Sequence, residues 1–400
     1  MKEIKGFFSG CGHHLLSGHR DYGIWMTVLM VLSLVGLNAY CRQLAHGLAT
    51  TGMGDEVSWG AYIGNFAFLV GMAAAAVMMV IPAYLFKDRE MKRVVVFSEL
   101  FAVAAIIMCI LFVTVDLGRP DRLWHLIPPW GVFSWPRSML TWDLIVLNGY
   151  LLLNLYACGY VLTCLYRGSE PVAALYIPVV LLAVAWAPSI HTVTAFLFQG
   201  LSGRPFWHSG IIAPRFIASA FAAGPAFMIL VFRVVERYGG LTAGEKVLGR
   251  LRVTVTVCLL INLFLVGSEL FTEFYGGSEH SVFFAFLFGV HGSGLLTPWI
   301  WCALAMNLAA AAVLLSPLRH KGRLLEAACG LVVVGIWVEK GIAFVIPGFI
   351  PSPLGDFVEY APTLNELLVC VGIWAFGLLT YSAMLKVAIP IISGKFSMNR

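Results

Sequence analysis

Residues 102–156 read "AVAAIIMCILFVT", then "VDLGRPDRLWHLIPPWGVFSWPRSMLTWD", then "LIVLNGYLLLNLY". Two runs of nearly pure hydrocarbon flank a polar loop, Val115–Asp143, which holds three arginines, three aspartates and one histidine among four prolines and four tryptophans. A helix needs about 20 apolar residues to cross a bilayer, and both flanks supply them. The stretch therefore reads as helix, loop, helix, with the loop stiffened by proline and held at one membrane face.

The rest of the chain follows the same pattern. Of its 400 residues, 60% are hydrophobic and 12% charged, against about 25% charged in soluble domains. Mean hydropathy is +0.87. The composition is that of an all-α integral membrane protein, with no polar segment long enough for a sizeable soluble domain. The net charge of +5 is spread over short loops and gives no reason to expect nucleic acid as a partner. The opening "MKEIKGFFSGCGHHLLSGHRDYG" has no apolar core before Gly23, so no removable leader is expected.

Ten spans are predicted, at 23–44, 59–86, 94–117, 139–165, 172–198, 211–232, 253–275, 281–316, 324–347 and 363–392. The eighth is too long for one crossing, and "HGSGLL" (His291–Leu296) is the expected break. If the termini are cytoplasmic, 18 of the 26 lysines and arginines fall on their side. Seven fall opposite (Arg42, Arg119, Arg122, Arg137, Arg204, Arg215 and Lys340), and Lys386 lies within the last span. The bias puts both termini in the cytoplasm. The three loop arginines oppose it, which suggests that they serve a local function.

Spans two and six share a small-residue, aromatic texture, "SWGAYIGNFAFLVGMAAAAVMMVIP" and "APRFIASAFAAGPAFMILVF". A parallel repeat would make 23–165 and 172–316 two four-helix bundles, with 324–392 adding two helices between a cytoplasmic segment, 1–22, and a tail, 393–400. Close membrane packing by itself favours the same texture.

Ionisable groups inside a membrane are costly and so are functional candidates. Asp116, Asp143, His191, Glu269 and Glu273 lie toward the outer ends of their spans, Glu339 and Lys340 somewhat deeper, and Glu99 on the inner side. Each also has a plainer reading. Asp116 pairs with Arg119 or caps its helix, the loop tryptophans form an interfacial belt, His191 bonds a neighbouring helix, and Glu339 neutralises Lys340. Glu269 and Glu273, four apart on one helical face, must share a proton or meet a cation. The nine cysteines stand singly, without C-x-x-C, so no iron–sulfur cluster or c-type haem is expected in this chain. Only His191 and His291 lie in predicted spans, too few for the usual b-haem ligation, and no metal site is read.

"DLGRPDRLWHL" followed by "SMLTWDLIVLNGYLLLNLY" resembles the membrane subunits of the NrfD/polysulfide reductase family. "VSWGAYIGNFAFLVGMAAAAVM", "PSIHTVTAFLFQGLSGR", "RFIASAFAAGPA", "FTEFYGGSEH" and "PWIW" resemble its ten-helix DsrP-type branch, from electron-transfer complexes of sulfur metabolism. The likeness runs over about residues 20–390. It implies a subunit of the prokaryotic inner membrane that exchanges electrons between menaquinone or ubiquinone and a ferredoxin-like iron–sulfur subunit on the outer, periplasmic face. Cytochrome c and further redox subunits would complete the complex, and this chain would hold no haem or cluster of its own. The implied quinone site comprises Asp116, Arg119, His125, Ser138, Trp142 and Asp143, faced by Trp59, Tyr62 and Asn65. Asp143, Asp116 and His125 would handle protons and hydrogen bonds at the headgroup, and Glu99, His191, Glu269, Glu273, Glu339 and Lys340 are candidates for a proton path. The rival reading from the residues alone is a secondary transporter or proton channel, although paired Gly/Pro-broken helices in matching halves are not found.

Overall fold

The computed structural model describes residues 2–398 except 279, 291 and 293. Ten of its helices are long and apolar enough to cross a membrane: spans 1 (Arg20–His46), 2 (Ala61–Leu85), 3 (Arg89–Asp116), 4 (Met139–Arg167), 5 (Ala173–Gln199), 6 (Ile212–Gly239), 7 (Glu245–Gly276), 8 (Thr297–Leu315), 9 (Gly322–Phe349) and 10 (Leu364–Ile392). No strand occurs among the described residues. The chain is a multi-pass, all-helical membrane protein. A helix at Lys2–Leu16 precedes the first span. The predicted eighth span divides into a short helix, Ser281–Phe288, and a 19-residue span. The break falls at the expected stretch, where His291 itself lies outside the described residues.

Successive spans alternate in direction, so both ends of the chain share one face. Met398 N–H donates to Tyr166 O at 2.8 Å, and the rings of Phe7 and Tyr166 meet edge-on at 5.0 Å. The described residues of 47–60, 117–138, 200–211, 277–296 and 350–363 lie on the opposite face, called distal below.

Neighbour relations shift the expected grouping by one helix. Spans 2, 3, 4 and 5 close a ring, each packed on the next and span 5 back on span 2; spans 6, 7, 8 and 9 close a second. Span 1 packs on span 10, outside both rings. Small residues explain the pairing: a methyl on Gly36 would run into the backbone of Gly372, so only glycine lets the two helices come this close. Span 9 belongs to the second ring because its Glu339 is held by side chains of spans 6, 7 and 8. The rings meet where span 2 packs on spans 9 and 6; spans 2 and 6 touch where Gly224 abuts Ala75. These are the two helices of similar texture, and each is the first member of its ring.

Span 2 is the axis of the molecule, with every residue from Ala61 to Ala74 buried. Its last turn, Ile81–Leu85, is π-helical, as is Trp337–Ile342 in span 9. Side chains cap the starts of spans 3 and 10. Asp88 accepts from Glu90 N at 3.0 Å and Met91 N at 3.4 Å at the start of span 3, and Thr363 accepts from Glu366 N at 3.2 Å at the start of span 10. Each cap satisfies amide groups that the helix leaves unpaired.

Candidate functional site

The Val115–Asp143 loop lies on the distal face. Arg119 donates to Asp121 from Nε at 3.0 Å and Nη2 at 2.9 Å, not to Asp116 as one reading had it. The hydrogen bond from Arg119 holds the Asp121 carboxyl below its ordinary range, and Asp121 in turn raises the guanidinium. His125 is exposed, with its ring 4.0 Å from that of Trp124. Trp130 and Val132 stand 72% and 77% exposed. The loop therefore presents a basic and aromatic surface to the outside. Trp142, half-buried, donates its indole N–H to Pro136 O at 2.9 Å. Ser138 occupies the N-cap position of span 4 without capping it through its side chain.

Beneath the loop, Asp143 is buried and accepts from the Thr194 hydroxyl of span 5 at 2.8 Å. One turn further toward the distal face, Phe198 meets Trp59 edge-on at 5.6 Å, and Trp59 also packs against Trp207 and Phe349. Asp143 thus lies between spans 4 and 5 below an aromatic roof. His191, three residues before Thr194, is fully buried, and neither ring nitrogen has a hydrogen-bond partner among the described residues. It does not bond a neighbouring helix, the alternative considered for it.

Tyr62 and Asn65 face elsewhere. The Tyr62 hydroxyl donates to Gln43 Oε1 at 2.6 Å, and Gln43 Nε2 donates to Val115 O at 2.6 Å, next to Asp116. One oxygen of Asp116 is buried without a partner among the described residues. Asn65 Oδ1 accepts indole N–H bonds from Trp337 at 2.9 Å and Trp374 at 2.8 Å, while its Nδ2 donates to Ala61 O at 2.8 Å. Asn65 joins spans 2, 9 and 10 and is part of the scaffold. Nearby, Glu366 accepts from Gly52 N at 2.9 Å, Ala61 N at 3.1 Å and the Tyr360 hydroxyl. That carboxylate pins the start of span 2, which carries Tyr62 and follows closely on Trp59.

The sequence-derived set is therefore split. Asp143, bonded to Thr194, sits one turn below the contact of Phe198 with Trp59; Tyr62 is tied through Gln43 to Val115 O, next to Asp116; and Arg119 and His125 lie at the surface. Gln43, Thr194, Tyr360 and Glu366 were missed. Of these, Glu366 had a readable signal, the T-x-x-E of a capping box, although its carboxylate bonds another segment instead.

Inside the second ring lies a polar cluster to which all four spans contribute. Arg215 donates to Glu269 at 2.5 Å and to Glu339 at 3.2 Å. Asn262 donates to both oxygens of Glu339 at 3.1 and 3.2 Å, and Asn307 to one at 2.9 Å. Beside Arg215 and Glu269, a cavity of about 20 Å³ among Val266, Phe284, Ile300 and Phe344 has room for one water. One expectation is corrected here. Glu269 and Glu273 do not act as a pair: Glu269 turns inward to Arg215, and Glu273 bonds the Ser278 hydroxyl. Lys340 does not hydrogen-bond Glu339; its Nζ donates to Phe216 O at 3.2 Å. On the side of the termini, Glu99 is buried with one oxygen unpartnered among the described residues. Tyr84 and Tyr176 pack edge-on at 4.9 Å between spans 2 and 5.

The chain matches the family model for polysulphide reductase, NrfD, over residues 49–350, well over half its length. It is 26% identical to a putative membrane subunit of dimethyl sulfoxide reductase from Halobacterium salinarum, over 90% of each chain. A menaquinone reductase integral membrane subunit of Nitratidesulfovibrio vulgaris is 25% identical over 98% of this chain and 97% of its own. An Hdr-like menaquinol oxidoreductase integral membrane subunit of Archaeoglobus fulgidus is 21% identical over 90% of this chain and 91% of its own. With a family match of that extent, and relatives aligned nearly end to end, the chain belongs to the NrfD family of polysulphide reductase membrane subunits.

Proposed function

We propose that this protein is the quinone-interacting membrane subunit of a respiratory redox complex, exchanging electrons between a membrane quinone, menaquinone by preference, and a partner subunit on the distal face. The observation that carries the reading is Asp143, a buried carboxylate held by Thr194 near the distal end of the first ring, under Trp59 and Phe198. A quinone takes up two protons on reduction and its quinol releases two on oxidation. A fixed carboxylate at the headgroup exchanges one of them, and general acid–base help of this kind is worth about 10²–10⁴-fold in rate. The aromatic roof keeps water from the ring and packs on its face. Asp116, beside Tyr62, is the second carboxylate near the same end and the candidate for the other proton.

Arg119 and His125 change role relative to the sequence-based assignment. Both are exposed, so in this reading they belong to the surface that meets the partner, with Trp124 and Trp130. The partner we infer is a ferredoxin-like iron–sulfur subunit, with cytochrome c and further redox subunits beyond it, as in the sulfur-metabolism complexes that the sequence resembles. The lysine and arginine bias supports a periplasmic distal face. This chain contributes no haem and no cluster in this account.

Asp143→Asn tests the assignment. It keeps hydrogen-bonding capacity and removes the titrating group. Quinol-linked electron transfer by the assembled complex should fall about 10²-fold or more, while affinity for a quinone analogue changes far less. Unchanged turnover in an assembled variant removes Asp143 from the reaction.

A further inference from the structure

Lys386 lies inside span 10, six residues before the end of that helix at Ile392, hence about 9 Å along it from the face of the termini. A charge inside a span is costly unless something answers it. Among the described residues its ammonium has no ion pair and no hydrogen bond, and it rests 4.5 Å from the centre of the Tyr22 ring of span 1. One turn deeper, Ser382 accepts from Trp25 Nε1 of span 1 at 3.1 Å, which fixes this side of span 10 against the start of span 1. The link between the Lys2–Leu16 helix and span 1 passes over the same spot. A methyl on Gly18 would lie 3.3 Å from Lys386 Nζ and 2.7 Å from the Tyr22 ring. The Tyr22 hydroxyl is buried without a partner among the described residues. His14, in the last turn of the Lys2–Leu16 helix, has its ring 4.7 Å from that of Phe396, just beyond span 10.

Elsewhere on this face basic side chains meet acids: Arg233 pairs with Glu236 and Glu326, Lys246 with Glu90 and Arg250 with Asp88. The corner under spans 1 and 10 is different. Asp21, the acid beside Tyr22, is exposed and forms no ion pair among the described residues. Burial and the positive charges of His13 and Lys386 lower the His14 pKa from the ordinary imidazole value, as happens where cations gather without an anion. Directly below, an apolar strip runs into the membrane from the level of Ser382. Trp25, Val28 and Leu32 follow one another at helical spacing along span 1 and are 36–47% exposed.

We propose that this corner binds the phosphate of an anionic phospholipid between Lys386, Tyr22 and His14, with an acyl chain lying along Trp25, Val28 and Leu32. The Lys386 stem lies against apolar surface while its head reaches toward the headgroup level, and its three donors point where no protein acceptor stands. The Tyr22 hydroxyl supplies a further donor. Clustered basic residues next to a span are the chemistry by which proteins hold acidic headgroups. A zwitterionic lipid carries its own cation, which competes with Lys386, so the corner favours a headgroup of net negative charge. The bound lipid would tie the Lys2–Leu16 helix to the pair of spans that lies outside both rings. A lysine that merely reached for water would need neither the unpartnered hydroxyl nor the strip beneath it. The site does not depend on the quinone reading.

The test uses the full chain purified in detergent. Its thermal unfolding is followed with dioleoylphosphatidylglycerol, dioleoylphosphatidylcholine or inorganic phosphate added, and bound lipid is counted by native mass spectrometry. Phosphatidylglycerol should stay bound and raise the unfolding midpoint, because a ligand of the folded state stabilises it; the other two should do neither. Lys386→Gln should weaken phosphatidylglycerol binding about fivefold. Tyr22→Phe keeps the ring beneath the lysine, removes only the hydroxyl and should weaken binding by a similar factor, about fivefold. Lys92→Gln removes an exposed lysine from the same face at the start of span 3 and should leave binding unchanged. Wild-type affinity in the Lys386 and Tyr22 variants overturns the proposal. So does equal retention of phosphatidylcholine, equal protection by inorganic phosphate, which would mean a site for free anions, or an equal loss in Lys92→Gln, which would mean attraction to the surface charge alone.

Discussion

At the scale of single residues, Glu366 shows how the distal end of the first ring is fixed. Its carboxylate takes two backbone N–H groups, at Gly52 and Ala61, and the Tyr360 hydroxyl, which itself accepts from Ala61 N at 2.8 Å. Hydrogen bonds to a charged group are worth about 1.5–3 kcal/mol each, so Glu366→Ala should destabilise the protein by at least about 3 kcal/mol. Tyr360→Phe, which leaves both amide bonds to Glu366 in place, removes one such bond and should cost less, about 1.5–3 kcal/mol. Thermal unfolding in detergent checks the order; equal midpoints for the two variants would mean that the clasp does not hold the start of span 2. Glu366 lies 314 residues from Gly52 in sequence. The capping pattern around Thr363 announces a helix start, and nothing local announces which backbone the carboxylate meets. Asp143 was legible because a carboxylate one turn inside an apolar span is costly. Its partner Thr194, an ordinary helix residue, was not.

At the scale of the element, span 9 holds the second ring together through Glu339. Removing one partner of a buried ion pair costs about 3–5 kcal/mol, because the other charge is left uncompensated. Arg215→Met strands two carboxylates, Glu269 and Glu339, whereas Glu339→Gln leaves Arg215 paired with Glu269. Arg215→Met should therefore lower the unfolding midpoint markedly more than Glu339→Gln; the opposite order would contradict the network drawn here. The existence of the spans was readable because a bilayer demands a long apolar run for each crossing. Their ring membership was not, since it depends on contacts such as Gly36 with Gly372 and Arg215 with Glu339, the latter 124 residues apart. Glu269 and Glu273 are four residues apart on one helix, but a side chain on a second helix, Arg215, reaches only Glu269.

For the whole molecule, the arrangement is two four-helix rings joined where span 2 packs on spans 9 and 6, with spans 1 and 10 paired outside and the candidate quinone site at the distal end of the first ring. Cysteines placed at Trp130 and Glu245, both exposed, should label from opposite sides of the membrane in intact cells, position 130 from the periplasm. Labelling of 130 only after the inner membrane is opened would invert the orientation. The central claim is that quinone reacts in the first ring, beside Asp143, rather than in the second. Photolabelling of the assembled complex with an azido-naphthoquinone, followed by peptide mapping, tests it most directly. Label on peptides of spans 2, 4 and 5, around Trp59, Asp143 and Thr194, and suppressed by excess menaquinone, is the result predicted. Label competed by menaquinone but confined to spans 6–9 would contradict it.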